Sequence, residues 1–174
     1  MSRAVLSIGG NLGDRPANLR AAVAGLGPGV IRVSGLYETP PWGDSAQPPY
    51  LNAVVVIDDP TATARDWLTR AHARETAAGR VRDPDRRFGP RTLDVDVIAV
   101  WADGRPVIDD DPELTLPHPR AHLRAFVLVP WHAIEPDAEL PGHGPIAALL
   151  DTPEVAADVA GVSLRPDLSI ESTG

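Results

Sequence analysis

Asp94 and Asp96 stand two residues apart in FGPRTLDVDVIAV, residues 88 to 100, a run whose other members after the arginine are mostly Leu, Val and Ile. On an extended strand both carboxylates project from one face, their Cα atoms about 7 Å apart, while Val95 and Val97 project from the other. Carboxylates set into an apolar run are costly away from water unless a cation, hydrogen bonds or solvent meets them. Paired in this way they can hold one or two hard divalent cations. Mg²⁺ suits them, since it takes one or two carboxylates together with phosphate oxygens and water. A D-x-D pair by itself equally describes the wet face of a half-exposed strand.

Arg80, Arg82, Arg86, Arg87 and Arg91 crowd five of the chain's sixteen cationic side chains into twelve residues, against only Asp83 and Asp85. The guanidinium fork matches phosphate and stays charged at any working pH. Taken alone, the same stretch reads as a solvated loop. Carboxylates for a metal beside arginines for phosphates together describe a phosphoryl-transfer site, where catalysis is mostly positioning and charge neutralisation.

A third cluster runs from TPPWG to YLNA, where a proline turn carries Trp42 and a following strand puts Tyr50 and Asn52 on one face. An aromatic ring beside an amide suits a flat heterocycle with an amide-like edge. It equally suits a loop packing its tryptophan over an edge strand. His118 stands in the rigid LPHPR loop, shortly before Arg124 and Phe126, and no H-E-x-x-H zinc motif is present. Glu75, near the end of a helical stretch, reads as a solvated helix face. GGNLGD reads better as a strand-to-helix turn than as a phosphate-cradling loop.

The elements that must hold these residues follow from pattern. AVLSI is a short apolar strand; Asp14, Pro16 and the spacing of Leu19, Val23 and Leu26 predict a helix closed by Gly27. VIRVSGLYE and YLNAVVVID read as strands joined by a proline-rich loop. A second helix follows from Thr61 to Gly79, then the aspartate-bearing strand, turned into a hairpin at Asp103-Gly104. LTLPHPR reads as a loop, RAHLRAFVLVPWHAI as helix broken by Pro130, and GPIAALLD as a last helical piece. The order β α β β α β predicts an α+β, ferredoxin-like antiparallel sheet with two helices on one face, plus C-terminal hairpin and helical additions.

With 174 residues the chain is expected to form one domain. It lacks the run of roughly 20 apolar residues needed to span a bilayer, and its N-terminus reads as a first strand, so a cytoplasmic location is expected. Zero cysteines exclude disulfides and thiolate chemistry. All 16 cationic side chains are arginine, which excludes a Walker-type phosphate loop and lysine Schiff bases. A net charge of −8 argues against nucleic acid as a partner.

Read in order, SIGGNLGD, YETPPWG with YLNAVV, GRVR, RFGPRTLDVDVI and LTLPHPRAHLRAFVLVP resemble the 6-hydroxymethyl-7,8-dihydropterin pyrophosphokinases of folate biosynthesis, over about residues 2 to 150. The resemblance implies a monomer with a ferredoxin-like core that transfers the β,γ-diphosphate of ATP to the pterin hydroxymethyl oxygen and releases AMP. It implies that Asp94 and Asp96 hold two Mg²⁺ ions. It gives Arg80, Arg82 and Arg91 to the phosphates, the first two on a mobile loop and catalytic with the aspartates. Glu75, His118 and Arg124 fall on the ATP side. For the pterin, it implies a sandwich between Tyr50 and Phe126, an edge read by Asn52, walls of Thr39, Pro40 and Trp42, and support from Asn11.

Three departures stand out: Gly10 where many members have serine, Phe88 for a frequent tryptophan, and DPDRR, which lengthens and acidifies the arginine loop. The last leaves open which of Arg86 and Arg87 reaches a phosphate. No residue is marked as a general base, and residues 151 to 174 remain unassigned. A binding protein without activity, or an ordinary kinase or nucleotidyltransferase, are the rival readings.

Overall fold

The structure, a computed structural model, describes residues 1–40, 46–79 and 91–170. Strand β1 (Ser2–Gly10) leads into α1 (Arg15–Leu26), whose start is set by Pro16 and by Asp14, which accepts a hydrogen bond from the Ala17 N–H. The predicted strand over residues 30 to 38 is two strands, β2 (Val30–Val33) and β3 (Tyr37–Thr39). The break falls at Ser34, whose hydroxyl accepts the Val54 N–H at 2.9 Å, so a side chain fills a position of the backbone ladder. Strand β4 (Tyr50–Asp59) follows, then α2 (Ala64–Ala77), begun by a reciprocal capping box of Thr63 and Asp66. Strand β5 (Asp94–Ala102) turns at Asp103-Gly104, both with positive φ, into β6 (Arg105–Pro106), as expected for Asp-Gly.

Beyond this core lie a hairpin of β7 (Asp109–Asp111) and β8 (Leu114–Leu116), a 3₁₀ turn (Ala121–Leu123), and α3 (Ala125–Ile134). The strands β9 (Glu139–Leu140) and β10 (Gly144–Pro145), the helices α4 (Ile146–Leu149) and α5 (Pro153–Val159), and β11 (Ser163–Leu164) complete it. LTL was expected as loop; it pairs as β8 because Leu114 and Leu116 bury against the core. Pro130 was expected to break its helix. Instead α3 runs through it to Ile134, giving up one bond to the Phe126 carbonyl while Pro130 and Trp131 are buried.

The sheet is antiparallel in the order β11-β3-β4-β1-β5-β6, with β2 also paired to β4. With α1 and α2 as crossovers, this is an α+β, ferredoxin-like fold. The expected pair of helices covers one face, and the C-terminal additions cover the other. Leu19 of α1 and Trp67 of α2 pack on Leu6, Ile8, Val55 and Val95, but α3, α4 and α5 cover Val5, Val54, Val56, Ile98 and Ala99 on the opposite face. The physical reason is in the strands: AVLSI and AVVVI are near-continuous apolar runs, which demand cover on both sides. A register shift between Val5 and Leu6 adds to this, letting Ile98 and Ala99 both face α3. The C-terminal segment joins the sheet where β11 pairs with β3, pinned by Arg165 donating to Glu38 at 2.8 Å.

Candidate active site

Cover on the α3 face stops short of one end of the sheet. There the inward positions change character: Ser7 and Gly9 on β1, Tyr50 and Asn52 on β4, Asp94 and Asp96 on β5. Ser7 lies opposite Asp96, while Gly9 lies opposite Asp94 on one side and Asn52 on the other. The strand alternation that delivers Val54 and Val56 to the core therefore delivers polar groups to an opening.

Two pockets meet over these positions. The first, of about 520 Å³ including its open mouth, is lined by Tyr50, Phe126, Asn52, Thr39 and Pro40 above a floor of Ser7 and Gly9. The second, of about 1240 Å³, is polar and runs between α2 and the loop after β8, with Glu75, His72, His118 and Arg120 in its walls. Arg91, Asp94, Asp96 and Arg124 belong to both.

In the first pocket Asn52 Nδ2 donates to Thr39 Oγ1 at 2.8 Å, leaving the amide oxygen for another donor. Gly9 makes this arrangement fit, because a Cβ there would come within 2.5 Å of Asn52 Oδ1. Asn11 ties the surrounding segments: its amide donates to Gln47 Oε1 at 2.8 Å and to the Pro48 carbonyl at 2.9 Å, and its Oδ1 accepts the Arg91 N–H at 2.8 Å. The backbone N–H groups of Asn11 and Leu12 both donate to the Arg91 carbonyl. GGNLGD is thus a strand-to-helix turn with these donors already used.

In the second pocket Glu75 is buried, not on a solvated helix face, and accepts the Val95 N–H at 3.0 Å on the outer edge of β5. His118 is held to the same edge by its N–H, which donates to the Ile98 carbonyl at 2.8 Å. Burial, aided by the positive charge of Arg124, holds its imidazole down to about 4, so it is neutral at pH 7. Its Nδ1 accepts the Arg120 N–H at 3.1 Å, which puts the ring proton on Nε2.

The carboxylates carry the electrostatic tension. Burial first, then the negative charge of Asp94, push the Asp96 carboxyl up to about 7, against the pull of Arg124. Arg91 Nη1 donates to Asp94 at 2.9 Å, whereas Arg124 stands 3.6 Å from Asp96, an ion pair without a hydrogen bond. Two like charges on one strand face, with oxygen donors only, fit a hard divalent cation. Among the described residues no third carboxylate or imidazole completes a protein cage, so substrate oxygens and water would fill the remaining positions, which is the Mg²⁺ pattern.

A family model described as 7,8-dihydro-6-hydroxymethylpterin-pyrophosphokinase matches residues 5–136. The chain belongs to that family. Proteins named 2-amino-4-hydroxy-6-hydroxymethyldihydropteridine pyrophosphokinase are similar to it. The one from Mycobacterium tuberculosis H37Rv is 47% identical over 180 residues, covering 99% of this chain and 95% of its own. That of Mycobacterium leprae is 54% identical over 146 residues, covering 80% and 75%. Among solved structures, Plasmodium falciparum HPPK-DHPS wild type superposes with a TM-score of 0.57 at 12% identity, covering 85% of this chain. This chain spans 42% of that longer protein, and the likeness bears on the fold alone.

The family's expected residues come together. Thr39, Pro40, Tyr50, Asn52 and Phe126 line the first pocket, Glu75 and His118 the second, and Arg91, Asp94, Asp96 and Arg124 the shared wall. Asn11 lines neither and supports both. Trp42, Arg80 and Arg82, like Arg86, Arg87 and Phe88, lie outside the described residues. Sequence reasoning missed Ser7, Gly9, His72 and Arg120. A serine interrupting AVLSI, and a histidine one helical turn before Glu75, were the available signals.

Proposed function

We propose that this chain transfers the β,γ-diphosphate of ATP to the hydroxymethyl oxygen of 6-hydroxymethyl-7,8-dihydropterin in folate biosynthesis, yielding the pterin diphosphate and AMP. The observation that carries the reading is the wall of Asp94, Asp96, Arg91 and Arg124 common to a narrow aromatic pocket and a wide polar one. A two-substrate phosphoryl transfer needs this plan: acceptor and donor held separately, with charge-neutralising groups where they meet.

The pterin ring lies between Tyr50 and Phe126, its amide-like edge at Asn52 and its hydroxymethyl group toward Asp96. ATP occupies the polar cleft, with Nε2–H of the neutral His118 donating to a phosphate oxygen. Arg91 and Arg124 leave the aspartates to face phosphate oxygens, together with Arg80 and Arg82 from the preceding stretch; Trp42 adds to the pterin wall. Asp94 and Asp96 would hold two Mg²⁺ ions, which when bound neutralise triphosphate charge and orient its oxygens. The protein acts as a monomer in the cytoplasm, residues 1–174 forming one unit, without nucleic acid or membrane as partner.

The nucleotide product tests this. Purified protein with ATP, Mg²⁺ and the pterin is expected to form AMP only when the pterin is present. ADP would mark an ordinary kinase and free diphosphate a nucleotidyltransferase. Pterin binding without AMP would reduce the site to binding alone.

A further inference from the structure

Among the described residues, most buried polar side chains have partners. Ser2 accepts the Trp67 indole N–H at 2.8 Å, Ser34 accepts the Val54 N–H at 2.9 Å, and Asn52 and Thr39 hydrogen-bond each other. Glu75 and Asn11 are likewise engaged, and Arg124 faces Asp96. Ser7 is an exception, as is Thr92, whose fully buried Oγ1 also lacks a hydrogen bond. Ser7 is 5% exposed, yet among the described residues its hydroxyl makes no hydrogen bond. The hydroxyl is not sealed in the core either; it opens onto the floor of the first pocket.

A buried hydroxyl without a partner costs stability, and alanine would suit this strand position better. Its place explains the exception. Ser7 is opposite Asp96 on β5 and one alternation from Gly9, which faces Asn52 and Asp94. A flat ring with one edge at Asn52 and its reactive arm at Asp96 crosses β1 diagonally, over Gly9 and Ser7. We propose that the Ser7 hydroxyl is a substrate-positioning group, donating a hydrogen bond to an acceptor on the hydroxymethyl-bearing edge of the dihydropterin. That edge offers two: the imine nitrogen next to the substituted carbon, and the hydroxymethyl oxygen. The contact fixes how far the ring slides toward the carboxylates, and so where the attacking oxygen sits. This inference rests on the pterin pyrophosphokinase reading.

The test is Ser7→Ala, with pterin and ATP-analogue affinities, kcat and thermal midpoint measured in parallel with the wild type. The expected result is a pterin Kd raised about 3- to 10-fold, a lower kcat, unchanged ATP-analogue affinity and an unchanged or higher midpoint. Repeating the binding with 6-methyl-7,8-dihydropterin, which lacks the oxygen, separates the acceptors. The same loss on Ser7→Ala assigns the ring nitrogen, and no loss assigns the hydroxymethyl oxygen. Pterin affinity within about 2-fold of wild type overturns the proposal, as does an equal loss of ATP-analogue affinity, which would make Ser7 a support of the carboxylates. Wild-type protein that binds no pterin would overturn the functional reading along with it.

Discussion

The sheet face beneath α3 has two ends built from the same strands by the same alternation. At one, Val5, Val54, Val56, Ile98 and Ala99 sit under Leu128 and Trp131, all essentially inaccessible. At the other, a few residues along, Ser7, Asn52, Asp94 and Asp96 occupy equivalent inward positions and meet an opening. Apart from the register shift between Val5 and Leu6, which turns Ile98 and Ala99 to the same face, backbone geometry does not distinguish them. What differs is side-chain chemistry and how far the covering helices reach. A rigid, dry half-sheet thus becomes the base plate for a site whose polar groups would be intolerable one or two pairs further in. Site residues carried on strands are held more firmly than loop residues would be.

The sharpest way to break this comparison is to exchange the consequences of the two ends. Asp96→Ala is expected to lower kcat by on the order of 10³, about 4 kcal/mol of transition-state stabilisation, while leaving the protein folded. Steady-state AMP formation and a denaturation curve measured together check it; full activity would remove Asp96 from the site. Trp131→Ala should do the reverse. Removing a fully buried indole costs about 3–5 kcal/mol of stability, read as a fall in the urea midpoint, with pterin affinity of the folded protein little changed.

An intermediate effect comes from the raised proton affinity of Asp96. Between about pH 4 and 7 the folded state holds a proton that the unfolded chain has released, so stability without metal falls as pH rises through this window and levels off above it. Partial exposure of the side chain reduces the effect to about 2 kcal/mol. Urea midpoints at pH 5 and pH 8 in chelator should show the loss, Mg²⁺ should restore stability at pH 8, and Asp96→Asn should flatten the profile. A flat wild-type profile would mean that neither burial nor the neighbouring Asp94 raises the proton affinity of Asp96.

The polar end was more legible in the sequence than the dry one. Asp94 and Asp96 announce themselves because a two-residue strand period puts carboxylates and valines on opposite faces, a local relation that needs no knowledge of the fold. The cover on the dry end is non-local. Short helices between residues 125 and 159 carry weak periodicity, and only the continuous apolar runs of β1 and β4 signal that both faces need covering. Glu75 shows the same limit: its helical spacing suggests a wet face, and its partner, the Val95 N–H, lies 20 residues on. Residues 163 and 164 belong to the stretch left unassigned from sequence, yet they join the sheet because Arg165 finds Glu38 across 127 positions of sequence. Ser7 was visible as an interruption of AVLSI, but its meaning depends on Asp96 lying opposite.

The smallest expected effect tests how the open end grips its ligand. Tyr50 begins β4, is only partly buried, and with Phe126 forms the aromatic walls of the first pocket. Tyr50→Ala should weaken pterin binding by about 1 kcal/mol, close to 5-fold in Kd, with little change in the urea midpoint, because little of the core rests on it. Tyr50→Leu divides that loss. Leucine restores apolar contact without the ring's quadrupole, so recovery of affinity would show that Tyr50 acts by desolvating one face, and no recovery that stacking itself holds the ring. A midpoint drop comparable to that of Trp131→Ala would erase the distinction between the two ends, since a pocket wall would then be bearing the fold.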